Sequence, residues 1–158
     1  LIYIDNAINL SHSTEIYKIL KADILVRNGN LDEALSILNL LKSSDKNPKQ
    51  IQIKNLISKI FIAKKMFSKA EDLLFEIVKD YSNLELGYLN LSQLYLITKE
   101  LDKGIKILKS GLSISQNYIP FYKNLALIYR STGDSNLAKD CHLKIIMNNK
   151  SKDKKRPA

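Results

Sequence analysis

The sequence predicts an all-α chain, a right-handed α–α superhelix built from stacked antiparallel helix pairs. Three observations predict it. Residues of matching size recur at a step of 34 positions, the apolar spacing inside each block is helical, and each block is broken near its middle.

Phe61, Tyr95 and Tyr129 stand 34 residues apart. The same step links Ile57, Leu91 and Leu125, then Ser58, Ser92 and Ala126, then Ala70, Gly104 and Ala138, and finally Leu74, Leu108 and His142. A further block lies upstream at a step of 36, with Ala22, Leu25, Ala34, Leu38 and Leu41 preceding Ser58, Phe61, Ala70, Leu74 and Ile77. The two extra residues fall in the polar stretch Ser44–Gln50, where a loop absorbs them.

The array is expected over residues 1–148, in units near 15–50, 51–84, 85–118 and 119–148, with 1–14 closing a preceding unit through Ile4, Ala7 and Ile8. Each unit reads as two helices of about 13–15 residues, about 20 Å long at 1.5 Å per residue. Gly29 and Gly133 end the first helices of their units, with Lys65 and Lys99 at the corresponding places. Ser68-x-x-Glu71 and Ser82-x-x-Glu85 fit capping boxes that would open helices. Small residues mid-helix and at the start of each second helix let paired helices approach closely. Gly104 and Gly111 cost about 1 kcal/mol each in helix propensity, which close packing would justify. Residues 149–158, rich in lysine, are expected to form a disordered basic tail.

These columns resemble the tetratricopeptide repeat, a 34-residue helix–turn–helix. The resemblance is carried by Tyr88-x-x-Leu91-Ser92-x-x-Tyr95 with Gly104, Leu108 and Gly111, and by Tyr122-x-x-Leu125-Ala126-x-x-Tyr129 with Gly133 and Ala138. Ile57-Ser58-x-x-Phe61 with Ala70 gives a third unit, and Asn28-Gly29-Asn30-Leu31-Asp32-Glu33-Ala34 resembles the family's turn. The family's usual closing proline is missing, except at Pro48, and His142 and Ile145 stand where Phe and Ala are usual.

Composition excludes several function classes. The net charge is +9, but residues 119–158 hold nine basic and three acidic groups, mostly in the tail, so no nucleic-acid face is expected on the body. A solvated end is the preferred reading of the tail, with contact to nucleic acid or anionic surfaces as the alternative. No apolar run approaches the ~20 residues of a membrane span. The one cysteine, Cys141, permits no internal disulfide and suits a cytoplasmic setting. It shares a column with Leu73 and Ile107, so it reads as a packing residue, as does His142; His12 is placed in an inter-helix loop. No cluster has metal-ligand spacing and no glycine-rich loop cradles a phosphate, so no cofactor and no enzymatic activity are expected.

The resemblance implies that first helices line the concave surface and bind a protein or an extended peptide. By column, the inward positions are Asn55 and Lys59, then Leu86, Leu89, Asn90, Gln93 and Ile97, then Lys123, Asn124, Leu127 and Arg130. Asn90 and Asn124 share one column, which resembles the asparagine ladder of the O-linked N-acetylglucosamine transferase repeats. An amide donates and accepts at once, which suits a peptide backbone; the alternative is that both simply face solvent. A clamp for acidic chaperone tails is not reproduced, since Pro120 occupies one basic position.

The function expected is therefore a protein-interaction scaffold. The alternative is a recruiting or regulatory arm of a larger enzyme, for which the opening Leu1 and the incomplete first unit speak. An RNA-binding helical repeat of the pentatricopeptide kind is disfavoured by its period of 35 and by the near-neutral body. The last helix, Ser135 to Asn148, is expected to leave Leu143 and Ile146 uncovered, an opening for self-association or for a further domain.

Overall fold

The computed structural model of the chain describes residues 14–43 and 48–153, which form helices and short turns without a strand. The helices are α1 (Thr14–Arg27), α2 (Leu31–Leu41), α3 (Pro48–Ala63), α4 (Phe67–Asp80), α5 (Glu85–Thr98), α6 (Leu101–Ile114), α7 (Ile119–Thr132) and α8 (Ser135–Asp153). They fall into two compact units, divided between Asp80 and Tyr81. Each unit holds two helix pairs, at the expected periods. The expected half-unit at the start, with Ile4, Ala7, Ile8 and His12, lies outside the described residues, as does most of the loop before Pro48. α8 runs on to Asp153, so residues 149–153, assigned to the tail, are helical; 154–158 lie outside the described residues.

One turn is used four times. In the first pair, Gly29 takes φ +82°, its N–H donates to Val26 O at 3.1 Å, and Asn30 N–H reaches Leu25 O at 2.9 Å. These two bonds cap the open carbonyls of the preceding helix. Lys65, Lys99 and Gly133 repeat the left-handed conformation, and Met66, Glu100 and Asp134 repeat the longer bond, to Phe61, Tyr95 and Tyr129. The small residues Ala34, Ala70, Gly104 and Ala138 then donate to Asn30, Met66, Glu100 and Asp134, which starts each second helix.

The expected capping boxes are not formed. α4 begins at Phe67, which puts Ser68 inside the helix, and α5 takes Leu84 as its N-cap without a side-chain bond. The physical reason is that backbone groups already close these turns: Leu84 N–H donates to Tyr81 O at 2.9 Å and Gly87 N–H to Leu84 O at 3.3 Å. Glu85 instead accepts from Ser115 Oγ at 2.7 Å, tying the start of α5 to the end of α6. That bond holds its carboxyl below the usual range.

In the first unit α3 packs on α1, α2 and α4. Its core joins Ile19, Ala22, Leu25, Leu38, Ile53, Ile57 and Ile60, with Phe61 against it. Lys54 is buried among these helices and reaches Glu76 at 3.1 Å and Asp80 at 3.4 Å. Burial opposes its charge, but hydrogen bonds and attraction from the two carboxylates outweigh that, and its pKa is raised. Gln50 bridges the incoming loop, donating to Leu41 O at 2.8 Å and accepting from Ser43 N–H at 2.9 Å.

In the second unit the glycines act as sockets. A Cβ on Gly111 would lie 2.6 Å from Phe121 Cζ, and one on Gly104 would lie 2.9 Å from Ile128 Cδ1. Both phenyl ring and isoleucine belong to α7, which thereby sits down on α6. The Phe121 ring is fixed from two sides, by Tyr118 at 4.8 Å and Tyr88 at 6.4 Å between centroids, both edge-on.

Candidate peptide-binding face

The expected inward residues divide between the two units, Asn55 and Lys59 in the first and the rest in the second. In the first unit, a depression of about 400 Å³ opens between the first helices α1 and α3. Ile16, Ile19, Leu20 and Asp23 line it from α1, and Gln52, Asn55, Leu56 and Lys59 from α3. These are four column pairs at the step of 36: 16 with 52, 19 with 55, 20 with 56, 23 with 59. Spacing of i, i+3, i+4 and i+7 puts each set on one helix face. Ile16 and Leu20 are 55% and 48% exposed, one turn apart on that face. Asn55 is buried and Lys59 exposed. Asp23 accepts from Arg27 at 2.7 Å.

Sequence reasoning missed Ile16, Ile19, Leu20, Asp23, Gln52 and Leu56. The signal was present, since the 36-residue step carries Asn55 and Lys59 back to Ile19 and Asp23.

In the second unit α5 packs on α7. Leu86, Gln93 and Ile97 are exposed on α5, with Leu89 and Asn90 half-buried between them. Lys123, Leu127 and Arg130 are exposed on α7. Asn124 differs. It is 8% exposed, and its Nδ2 donates to Ser92 Oγ at 3.0 Å. Ser92 Oγ in turn donates to Leu89 O at 2.7 Å. Asn124 therefore joins the two first helices from within, and this amide proton is engaged inside the protein.

The side chains considered for chemistry behave as packing or surface groups. Cys141 is buried, and burial, with the nearby Asp140 charge, pushes its thiol up, away from the reactive thiolate. His142 is a correction. It was expected in the core with Leu74 and Leu108, yet it is exposed, its Nδ1 2.7 Å from Ala138 O. Leu108 is covered by α7, whereas no described helix packs over the same column of α8. Among the described residues no group of His, Cys, Asp and Glu could hold a metal ion. No described helix is long and apolar enough to cross a membrane.

Residues 87–118, one helix pair with its connecting turn, match the family model of the tetratricopeptide repeat. The chain thus carries a tetratricopeptide repeat over these residues. Its fold is shared with solved repeat proteins. BtubC (BKLC) from P. vanneervenii superposes with a TM-score of 0.75 at 21% identity over 92% of this chain, which covers 66% of that protein, just under two thirds. MamA from Desulfovibrio magneticus RS-1 gives 0.71 at 16% identity, over 88% of this chain and 77% of that one. A thermophilic tetratricopeptide protein of Thermus thermophilus, TTC0263, gives 0.67 at 17%, over 84% and 73%. No curated protein sequence matches the chain. As a class, this repeat fold supports protein-interaction scaffolds.

Proposed function

We propose that this chain is a non-enzymatic binding scaffold of the cytoplasm, taking an extended peptide of a protein partner along its first helices. The observation that carries the reading is the depression between α1 and α3. Exposed Ile16 and Leu20 there adjoin the amides of Gln52 and Asn55 and the ammonium of Lys59. Apolar and amide chemistry on one rigid face suits an extended peptide, whose backbone meets amides while its side chains meet leucine and isoleucine. Leu86, Leu89, Asn90, Gln93 and Ile97 offer the same mixture on α5, with Lys123, Leu127 and Arg130 on α7.

Neutral hydrogen bonds contribute only about 0.5–1.5 kcal/mol net each. Burial of partner side chains at about 25 cal/mol per Å² must supply much of the rest. Apolar anchors are therefore required, and Leu20 is the most direct one to remove. The test selects displayed random peptides on the 158-residue chain and measures the winners against Leu20→Glu. Affinity should fall at least about ten-fold, equivalent to about 1.4 kcal/mol. Peptides whose affinity is unchanged in that variant overturn the reading.

A further inference from the structure

The second unit contains one filled stacking cleft and one open copy of it. The filled cleft lies between α5 and α6 and receives α7: Asn124 bonds Ser92, Ile128 sits over Gly104, and Phe121 over Gly111. Shifting Ser92, Gly104 and Gly111 by 34 positions gives Ala126, Ala138 and Ile145. All three line the two depressions on the exposed side of α7 and α8, of about 570 and 280 Å³. The open surface is thus the same helix-receiving face, one repeat further on. Leu143 and Ile146 lie along it, 53% and 50% exposed.

Its chemistry has become more basic on balance, although Lys109 and Gln93 give way in the same register to Leu143 and Leu127. Leu89, Leu96, Ile105 and Leu108 of the filled cleft are replaced in register by Lys123, Arg130, Lys139 and His142. All four replacements line the open depressions, and no carboxylate among the described residues does. A second change concerns shape. Ile145 fills the place of Gly111, so an aromatic ring seated like Phe121 has no socket there.

We propose that this face of α7 and α8 docks an acidic amphipathic helix of a partner protein. The incoming helix takes the position that α7 takes on α5 and α6. Aliphatic or alanine side chains at i, i+3, i+4 and i+7 meet Ala138, Leu143 and Ile146, and glutamate or aspartate flanks them opposite Arg130 and Lys139. The helical occupant follows from the repeat register, and its charge from Lys123, Arg130 and Lys139, which stand where the filled cleft has Leu89, Leu96 and Ile105, with no carboxylate among the described lining residues. The face shares Lys123, Leu127 and Arg130 with the first-helix face of the second unit, but Lys139 of α8 belongs to it alone and Leu20 to the groove of α1 and α3 alone, so tests at these two residues let either proposal fail by itself.

The test uses the 158-residue chain and a stapled helical peptide of about four turns. The peptide carries a Leu/Ala stripe flanked by glutamates, and glutamine and lysine versions serve as controls. By fluorescence anisotropy the glutamate peptide should bind about ten-fold tighter than the glutamine one, and should weaken as salt rises. Lys139→Glu should weaken the glutamate peptide several-fold and strengthen the lysine peptide, while Leu20→Glu should leave both unchanged. Equal binding of glutamate and glutamine peptides overturns the proposal, as does a preference that survives Lys139→Glu. Concentration-dependent dimerisation abolished by Leu143→Glu also overturns it, because the occupant would then be a second copy.

Discussion

Asn124 Nδ2 donates to Ser92 Oγ at 3.0 Å, a side-chain bond that joins the first helices of two successive repeats. Both residues are buried, and Ser92 passes the bond on to the carbonyl of Leu89. Asn124→Ala should therefore lower stability by about 1–3 kcal/mol, since a buried polar partner is lost. Denaturant midpoints of Asn124→Ala, Ser92→Ala and the double variant check this. The two substitutions should couple; strictly additive losses would show that the bond contributes nothing.

Gly111→Ala and Gly104→Ala should differ in outcome. Both gain up to about 1 kcal/mol of helix propensity. At Gly104 the obstacle is Ile128 Cδ1, the free end of a flexible side chain, so the net change should be small. At Gly111 the obstacle is the Phe121 ring, fixed by Tyr88 and Tyr118, and overpacking should cost about 1–3 kcal/mol. Thermal melts of the two variants decide it.

Lys65 and Lys99 hold left-handed conformations, φ 58° and 62°, that their Cβ atoms disfavour. Lys65→Gly and Lys99→Gly should each stabilise the chain by up to about 1 kcal/mol. A fall in melting temperature would show that the lysine side chains contribute more than the turn strain removes.

The raised pKa of Lys54 gives stability a sign with pH. Burial alone would lower it, and Glu76 and Asp80 more than reverse that. The folded protein therefore holds this proton more tightly than the unfolded chain. The contribution is complete below the ordinary lysine value of about 10.4, and is lost as pH rises through the higher folded value. Between about pH 9 and 12 the wild type should lose more stability than Lys54→Met, which lacks the group. Parallel losses in urea titrations would contradict this.

The period and the packing columns were legible because within each unit the second helix pair packs on the first through its own first helix, so residue size recurs at a fixed step. Lys65 and Lys99 could be placed only by that register, since nothing local marks a lysine as left-handed. The capping boxes misled because Ser68 and Ser82 match a local pattern that the backbone bonds of the turns make unnecessary. His142 misled for another reason: a column tells what a residue would pack against, and α8 has no described helix over that side. Asn124 read as a binding group because sequence gives the type of a polar side chain without its depth.

The measurement that bears most directly on the scaffold account is an amide and methyl NMR titration of the chain with a peptide selected on it. Shifts should concentrate on Ile16, Ile19, Leu20, Gln52, Asn55 and Lys59, the first-helix face of the first unit, and then on the equivalent face of α5. A response confined to the second helices α2, α4 and α6, with Leu20 and Gln52 unmoved, would contradict it.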